Sequence, residues 1–375
     1  MKKGLIRVLG ITLLVKLSSL AMIFIGYKLF PFQTGNYLAN FHDPAQPVPT
    51  LLTAYQTWDA QHYLYLAIHG YQAGAPSNAF FPLFPLLIRL GSFLTGCPSW
   101  TIGLFLSILL SLLASAFLYL LVMDLWDERT AFQACLWCLA FPTAFYSGLI
   151  YTESLFLFLA LAFFYFSRKG LWFPAFSSAF FLSLSRPTGI LVVVASLMGR
   201  EKGPRAKGMF SRKALMVLAF SLGLSLYLFL MGLWTGDCFS GFSAQRFFVS
   251  HNQFTNFLKP WNWFTENFIQ NPYTWNGPQT SFLNRAALVG VIVLLPFLHR
   301  RLGKDLFVYV LVVGVGPALL SDMMSYIRYA SILFPIFIWA ALGIKNGILQ
   351  KIILSCFFLA QACLLIAHSL NYWVG

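Results

Sequence analysis

The chain has 375 residues, of which 59% are hydrophobic, 18% aromatic and only 10% charged. Soluble globular domains carry roughly 25% charged residues, so this composition excludes a protein whose surface is covered by water. Six cysteines are too few at this length for a secreted disulfide scaffold. The apolar residues lie in runs long enough to cross a bilayer, about 18 residues or more. The sequence therefore predicts an all-α polytopic membrane protein, formed as a single transmembrane domain over 1–375.

The net charge of +14 could suggest nucleic acid binding, but the placement of the basic residues indicates membrane topology instead. We therefore expect no nucleic acid partner. Basic residues form short clusters between the apolar runs, among them Lys2-Lys3, Arg168-Lys169 and the stretch 200–213. Clusters of this kind are typical of the cytoplasmic loops of proteins embedded in a lipid bilayer. They place the N-terminus and every second loop in the cytoplasm.

The first apolar run, 5–30, predicts a retained first membrane span. Residues 31–99 then form a long outer loop rich in proline, glycine and aromatic residues. Within this loop, 58–69 and 80–95 have the pattern of amphipathic helices that lie at the membrane interface.

Eight further spans and a second outer loop follow along the chain. The spans are predicted at 101–123, 131–147, 151–167, 214–234, 282–298, 305–320, 327–344 and 350–371, and the second outer loop at 235–281. Between 168 and 213, two basic clusters both favour the cytoplasm. We therefore expect 171–199 to enter and leave the membrane as two short helices, broken at Ser185–Gly189 where Pro187 disfavours a continuous helix. The total is about eleven membrane segments.

Asp59 opens the first amphipathic helix and is a candidate general base. His62 lies three residues later on the same helix face, and Tyr63 follows one turn from Asp59. The alternative is structural: an acid at a helix N-terminus is favoured by the helix dipole, and His62 is then an ordinary interfacial residue.

Three further ionisable residues lie at or near predicted membrane segments. Glu153 is isolated at a very short outer turn, and an ionisable residue in such a place indicates a functional site. Arg186 at the helix break and Arg328 at the start of a span suit a phosphate, since a guanidinium group is always charged and binds bidentately. The alternatives are helix capping by Glu153, snorkelling of the arginines, or pairing with Glu153 or Asp322.

Five short motifs occur in an order that resembles a known family. They are Trp58–Tyr63, Phe81–Pro85, Tyr151–Ser154, Ser185–Gly189, and Arg328-Tyr329 through Phe334-Pro335. Together they resemble the PIG-V family of mannosyltransferases, which belongs to the GT-C class of polytopic glycosyltransferases. The resemblance runs from 58 to about 335 and implies a GT-C-like helical bundle.

The resemblance implies a sugar donor, a catalytic residue and a set of contacts. The donor is a polyprenyl- or dolichyl-phosphate sugar, typically mannose. The sequence leaves open whether the acceptor hydroxyl belongs to a lipid, a glycan or a protein. Asp59 matches the catalytic acid of the first outer loop. The remaining residues of the motifs are assigned to substrate binding: Trp58, His62, Tyr63, Glu153, Arg186, Arg328 and Tyr329. A phosphate leaves readily, so an inverting displacement needs a base but no metal ion or other cofactor.

A transporter or flippase for a lipid-linked anion is the alternative function. Broken helices and arginines within the membrane occur in such proteins as well. The long outer loop with Asp59 and the lack of a detectable repeat favour the enzyme. The shortness of the chain favours a prokaryotic homologue in the plasma membrane with its site facing outside, or a lumenal site in the endoplasmic reticulum if the source is eukaryotic.

Overall fold

The computed structural model describes residues 2–44, 48–198, 209–248, 255–270, 281–320 and 323–374. Within these ranges the regular elements are helices, which confirms the predicted all-α class. The α-helices are α1 (Lys2–Leu29), α2 (Thr34–Ala39), α3 (Leu51–Ala54), α4 (Asp59–His69), α5 (Leu83–Thr95), α6 (Ser99–Leu125), α7 (Glu128–Ala140), α8 (Glu153–Lys169), α9 (Trp172–Ser185), α10 (Gly189–Leu197), α11 (Met209–Thr235), α12 (Ser240–Ala244), α13 (Thr255–Leu258), α14 (Pro260–Thr265), α15 (Phe282–Arg301), α16 (Lys304–Tyr309), α17 (Gly316–Leu320), α18 (Tyr326–Ala330), α19 (Phe334–Gly343) and α20 (Gly347–Ser369).

Five of the described helices, α1, α6, α11, α15 and α20, are long and apolar enough to cross a membrane. The count of about eleven segments stays a prediction, because several predicted spans consist of shorter pieces. The span expected at 131–147 ends as a helix at Ala140, before Pro142, and continues as a 3₁₀ turn. The span expected at 327–344 is divided between α18 and α19, which begins just before Pro335. Proline explains both divisions, since it removes a helix hydrogen bond and clashes with the preceding turn.

Helix α8 occupies the middle of the bundle. It packs between α6 and α9, and α9 in turn packs against α11. Eleven of its first twelve residues are buried, so this part of the helix is enclosed on every side, as an inner helix should be. Helix α1 packs against α6 and α20, and α7 packs against α19. Whatever lies at the first turn of α8 is therefore surrounded by protein.

The first loop, 31–99, contains both of the predicted amphipathic helices. Helix α4 begins at Asp59, one residue after the predicted start, and α5 begins at Leu83, three residues late, after Pro82. Helix α4 lies against α5 and α6, which brings the start of α4 to the same end of the bundle as the start of α8. The second loop, 235–281, contains α12, α13 and α14, while 249–254 and 271–280 lie outside the described residues.

The helix break predicted within 171–199 is confirmed. Helix α9 ends at Ser185 and α10 begins at Gly189, with Pro187 between them. A Cβ atom on Gly189 would lie 2.4 Å from the carbonyl oxygen of Leu182, so only glycine allows α10 to start this close to α9. The sides of the membrane on which the flanking basic clusters lie stay a prediction, and 199–208 is outside the described residues.

Candidate active site

Two carboxylates and two guanidinium groups meet at the first turn of α8. Glu153 Oε1 accepts hydrogen bonds from Arg186 Nη2 at 2.5 Å and from Arg328 Nε at 2.6 Å. Arg328 Nη1 also donates to Asp59 Oδ2 at 2.6 Å. We call Asp59, Arg328, Glu153 and Arg186 the charged tetrad. Its formal charge is zero, because two negative carboxylates balance two positive guanidinium groups.

The four side chains of the charged tetrad differ in their access to solvent. The Asp59 side chain is 28% exposed, whereas those of Arg186 and Arg328 are 10% and 8% exposed and that of Glu153 is 1% exposed. Asp59 is therefore the carboxylate that an incoming substrate can reach. Glu153 is enclosed and organises the two arginines. Its bonds to them are charge-assisted, and such bonds are stronger than hydrogen bonds between neutral groups.

Two buried polar atoms of the charged tetrad have no hydrogen-bond partner among the described residues: Glu153 Oε2 and Arg186 Nη1. Arg186 Nε donates to Thr152 Oγ1 at 2.7 Å. Because Nη1 of the same guanidinium group is not used, it can donate a hydrogen bond to an anion. A buried polar atom without a partner costs roughly 1–3 kcal/mol. Such a cost is typical of a site that a ligand completes.

Arg328 is held in place by residues from two other elements. The backbone N–H of Ile327 donates to Asn284 Oδ1 at 2.9 Å, and the Thr143 hydroxyl donates to the Ile327 carbonyl at 2.8 Å. Ser325, at the start of α18, adopts a left-handed backbone with φ of 61°. These bonds fix a helix of only five residues, which is too short to hold its shape by itself.

Aromatic rings surround the guanidinium groups. The Arg328 guanidinium carbon lies 4.6 Å from the ring centre of Tyr151 and 5.1 Å from that of Tyr146. Tyr329 lies 5.6 Å from both guanidinium groups, at the more exposed side of the site. His368 contacts the hydroxyl groups of both Tyr151 and Tyr146. Its Nε2 lies 3.1 Å from the Tyr151 hydroxyl and its Nδ1 lies 3.3 Å from the Tyr146 hydroxyl. Cation–π contacts of this kind favour the charged form of arginine in an apolar setting.

Tyr63 and Trp58 extend the site along α4. The Tyr63 hydroxyl lies 3.0 Å from Thr152 Oγ1, and burial raises the pKa of Tyr63 above its usual value, so it stays protonated and able to donate. Trp58 has a positive φ of 57°, and its ring meets that of Trp373 edge to face at 5.3 Å. A backbone strained in this way costs about 1–3 kcal/mol and is found most often at functional sites.

His62 faces a different set of neighbours. Its ring is stacked between those of Phe41 and Phe80, at 4.3 and 4.7 Å, and Nδ1 lies 2.9 Å from Ser77 Oγ. Burial lowers the pKa of His62 to about 4, so the ring is neutral near pH 7. These contacts join α4 to the following loop, and a direct role of His62 in substrate binding stays a prediction.

The charged tetrad brings together the sequence candidates Asp59, Glu153, Arg186 and Arg328, with Tyr63 and Tyr329 beside it. Sequence reasoning assigned no role to Thr152, Tyr146 or His368. Thr152 was visible next to Glu153 in the motif, whereas nothing in the sequence indicates that Tyr146 and His368 approach Arg328. Within the described ranges, no three His, Cys, Asp or Glu side chains lie close enough together to share a metal ion.

The helical architecture matches solved structures of membrane glycosyltransferases. ArnT from Cupriavidus metallidurans bound to undecaprenyl phosphate matches with a TM-score of 0.53 and 15% identity, over 96% of this chain and 64% of that one. The oligosaccharyltransferase of Archaeoglobus fulgidus in complex with zinc and sulfate matches with a TM-score of 0.53 and 13% identity, over 98% of this chain and 53% of that one. The chain thus spans between half and two thirds of these proteins. At such low identity the likeness shows the fold alone, which is a GT-C-like helical bundle.

The comparison with family models concerns 160 of the 375 residues of the chain. Residues 39–198 match the family model described as mannosyltransferase (PIG-V), which confirms the resemblance drawn from the motifs. The matched segment contains Asp59, Glu153 and Arg186 of the charged tetrad, and the fold adds Arg328 from outside it. A comparison with curated protein sequences finds no significant match.

Proposed function

We propose that this protein transfers a sugar, mannose by its family resemblance, from a polyprenyl- or dolichyl-phosphate donor to an acceptor hydroxyl. The observation that carries the proposal is the position of Asp59. It is the solvent-accessible carboxylate of the charged tetrad, it begins α4, and it lies within the segment that matches the PIG-V family. The acceptor is a lipid or a glycan, and the site faces the outside of a prokaryotic plasma membrane, or the lumen of the endoplasmic reticulum in a eukaryote.

In the proposed reaction, Asp59 acts as the general base. The acceptor oxygen attacks C1 of the sugar while the bond from C1 to the phosphate oxygen breaks, which inverts the configuration at C1. The acceptor proton passes to the Asp59 carboxylate, and the polyprenyl phosphate departs with the electron pair of the broken bond. Because a phosphate is a good leaving group, no general acid is required.

Arg186 and Arg328 bind the donor phosphate in this proposal. Arg186 Nη1 has no partner among the described residues and is buried, so it can donate to a phosphate oxygen. The likeness to ArnT, whose structure holds undecaprenyl phosphate, supports a lipid phosphate as a ligand of this fold. Trp58, His62, Tyr63 and Tyr329 belong to the surrounding substrate site.

The bond between Arg328 and Asp59 links donor binding to the availability of the base. The Arg328 guanidinium donates to Asp59 Oδ2 at 2.6 Å, so this oxygen is engaged before the donor arrives. When the donor phosphate draws on Arg328, Asp59 Oδ2 is released to accept a hydrogen bond from the acceptor hydroxyl. Donor binding before acceptor deprotonation follows from this competition, and so does an ordered kinetic mechanism.

The proposal is tested by incubating the purified protein in liposomes with labelled undecaprenyl-phosphate mannose and a membrane lipid extract. We expect a new labelled product and release of undecaprenyl phosphate. Movement of the intact donor across the bilayer without cleavage of the sugar would instead establish the transporter. Liposomes without protein, and liposomes with heat-treated protein, serve as the controls.

A further inference from the structure

A lysine lies buried in the first membrane helix, far along the sequence from the charged tetrad. Lys16 stands at the middle of α1 and is 1% exposed. Its ammonium group donates to the Ala144 carbonyl at 2.9 Å and to Ser147 Oγ at 2.7 Å. Both of these partners are uncharged. An ammonium group at this depth is costly, so its presence indicates a function. Lys16 also lies outside the segment that matches the PIG-V family.

The residues that Lys16 holds form the turn in front of the active site. Residues Ala144–Gly148 make a 3₁₀ turn between α7 and α8. Tyr146, whose ring packs against the Arg328 guanidinium, lies between the two residues that Lys16 contacts. A Cβ atom on Gly148 would lie 2.9 Å from Lys16 Cδ, so the glycine makes room for the lysine stem. Lys16 thus fixes the turn that contains Tyr146, whose ring packs against Arg328.

The need for hydrogen bonds within the turn does not by itself explain a lysine here. Ser147 Oγ already donates to the Ala144 carbonyl at 2.7 Å, and Ser111 Oγ donates to the Ser147 carbonyl at 2.6 Å. With methionine at position 16, these bonds would remain and the volume would be filled. What the ammonium group adds is two strong bonds that tie the turn to α1 in one position.

We propose that Lys16 is a positioning residue for the lipid-phosphate site. By fixing the turn, it sets the places of Tyr146 and of Tyr151 and Glu153 beyond it, and through them the orientation of Arg328. This inference rests on the proposed function, in which Arg328 binds the phosphate of the donor. It assigns a role to a span that lies outside the family match and outside the charged tetrad.

The test measures binding of undecaprenyl phosphate to the full-length protein in detergent, together with the thermal midpoint of unfolding. Lys16→Met should raise the Kd about ten- to a hundredfold, since a small displacement of binding groups has effects of that size. The midpoint should stay level or rise, because methionine removes the cost of a buried charge. Lys28→Met, at the exposed end of the same helix, is the matched control and should leave the Kd within about twofold.

A second variant examines the same contact from the other side. Ser147→Ala removes one acceptor of Lys16 and should also weaken lipid-phosphate binding, and the double variant should be no weaker than Lys16→Met alone. A Kd for Lys16→Met within about twofold of wild type overturns the proposal, as do multiplying effects in the double variant. So does a wild type that binds no undecaprenyl phosphate. A wild type that binds the lipid but transfers no sugar overturns the proposed function and leaves the role of Lys16 standing.

Discussion

The two ends of α8 carry charged residues in opposite surroundings. At its first residue, Glu153 is enclosed and accepts from two arginines. In its last turn, Arg168 pairs with Asp305 and Lys169 pairs with Asp124, and the side chains of the second pair are 37% and 38% exposed. One end therefore holds buried and shared charges, and the charged side chains at the other end are more exposed.

This difference separates charges that build a site from charges that orient a chain. A buried ion pair must overcome a large desolvation cost, and it is kept where the charges have a task or where specificity demands them. Exposed pairs contribute little to stability, and basic residues at a helix end serve the topology of the protein in the membrane. The comparison predicts that equivalent substitutions at the two ends have unequal effects.

The largest difference is expected for removal of one negative charge at each end. Glu153→Gln leaves two buried guanidinium groups without their shared carboxylate, and loss of one partner of a buried pair costs about 3–5 kcal/mol. Asp124→Asn, its matched control, should cost about 0.2–1 kcal/mol. The thermal midpoints of the two variants in detergent provide the measurement. Equal midpoints would contradict the contrast between the two ends.

A smaller effect is expected where the charge is kept and the planar group is lost. Arg328 uses Nε for Glu153 and Nη1 for Asp59, which one lysine ammonium group cannot reproduce. Arg328→Lys should therefore raise the donor KM about ten- to a hundredfold, the equivalent of one charged hydrogen bond.

Arg168→Lys at the other end of α8 is the control for this measurement. Arg168 reaches Asp305 through Nη2, a contact that lysine can replace, so the donor KM should stay within about twofold of wild type. A donor KM that is unchanged in a folded Arg328→Lys protein would remove Arg328 from the phosphate site.

The helix start and the helix break that form the site were predictable from the sequence. The contacts that bring Asp59, Glu153 and Arg328 together were not. The start of α4 at Asp59 and the break around Pro187 follow from short-range rules for amphipathic helices and for proline. Arg328 is 269 positions from Asp59 along the chain, and its approach to both carboxylates depends on how α18 packs. Short-range patterns carry no information about such packing.

The fold shows the same division between local and long-range information. The all-helical class and the long spans were predicted because runs of apolar residues are unambiguous in composition. The number of segments was harder to predict because 304–320 contains a π-helical section between two short helices, Val310–Val315, which no hydropathy pattern reveals. The contacts of Lys16 could not be predicted from the sequence, since its partners Ala144 and Ser147 are more than 100 residues away.

The smallest effect concerns His62, whose buried ring is stacked between Phe41 and Phe80. Its pKa is lowered to about 4 by burial, whereas the unfolded chain takes up a proton near pH 6.5. The contribution of His62 to stability is therefore present above pH 6.5 and is lost as the pH falls towards 4. Between pH 7 and 5.5 the loss amounts to about 1 kcal/mol.

This effect is measured from thermal midpoints across the same pH range. His62→Asn keeps a hydrogen-bonding group for Ser77 and cannot take up a proton, so its midpoint should fall less than that of the wild type. Parallel curves for the two proteins would contradict the assignment of a neutral, buried His62.

The central claim is that Asp59 is the base while Arg186 and Arg328 hold the donor phosphate. It is tested most directly by a comparison of Asp59→Asn with Asp43→Asn. Asp43 lies in the same loop, is equally accessible at 29% exposure and pairs with His69, so it controls for loss of a charge. In folded Asp59→Asn protein, the transfer rate at saturating donor should fall about 10²–10⁴-fold. Donor binding should change far less, and Asp43→Asn should transfer sugar normally. Near-normal transfer by Asp59→Asn, with transfer abolished in folded Glu153→Gln protein, would contradict the account and place the base at Glu153.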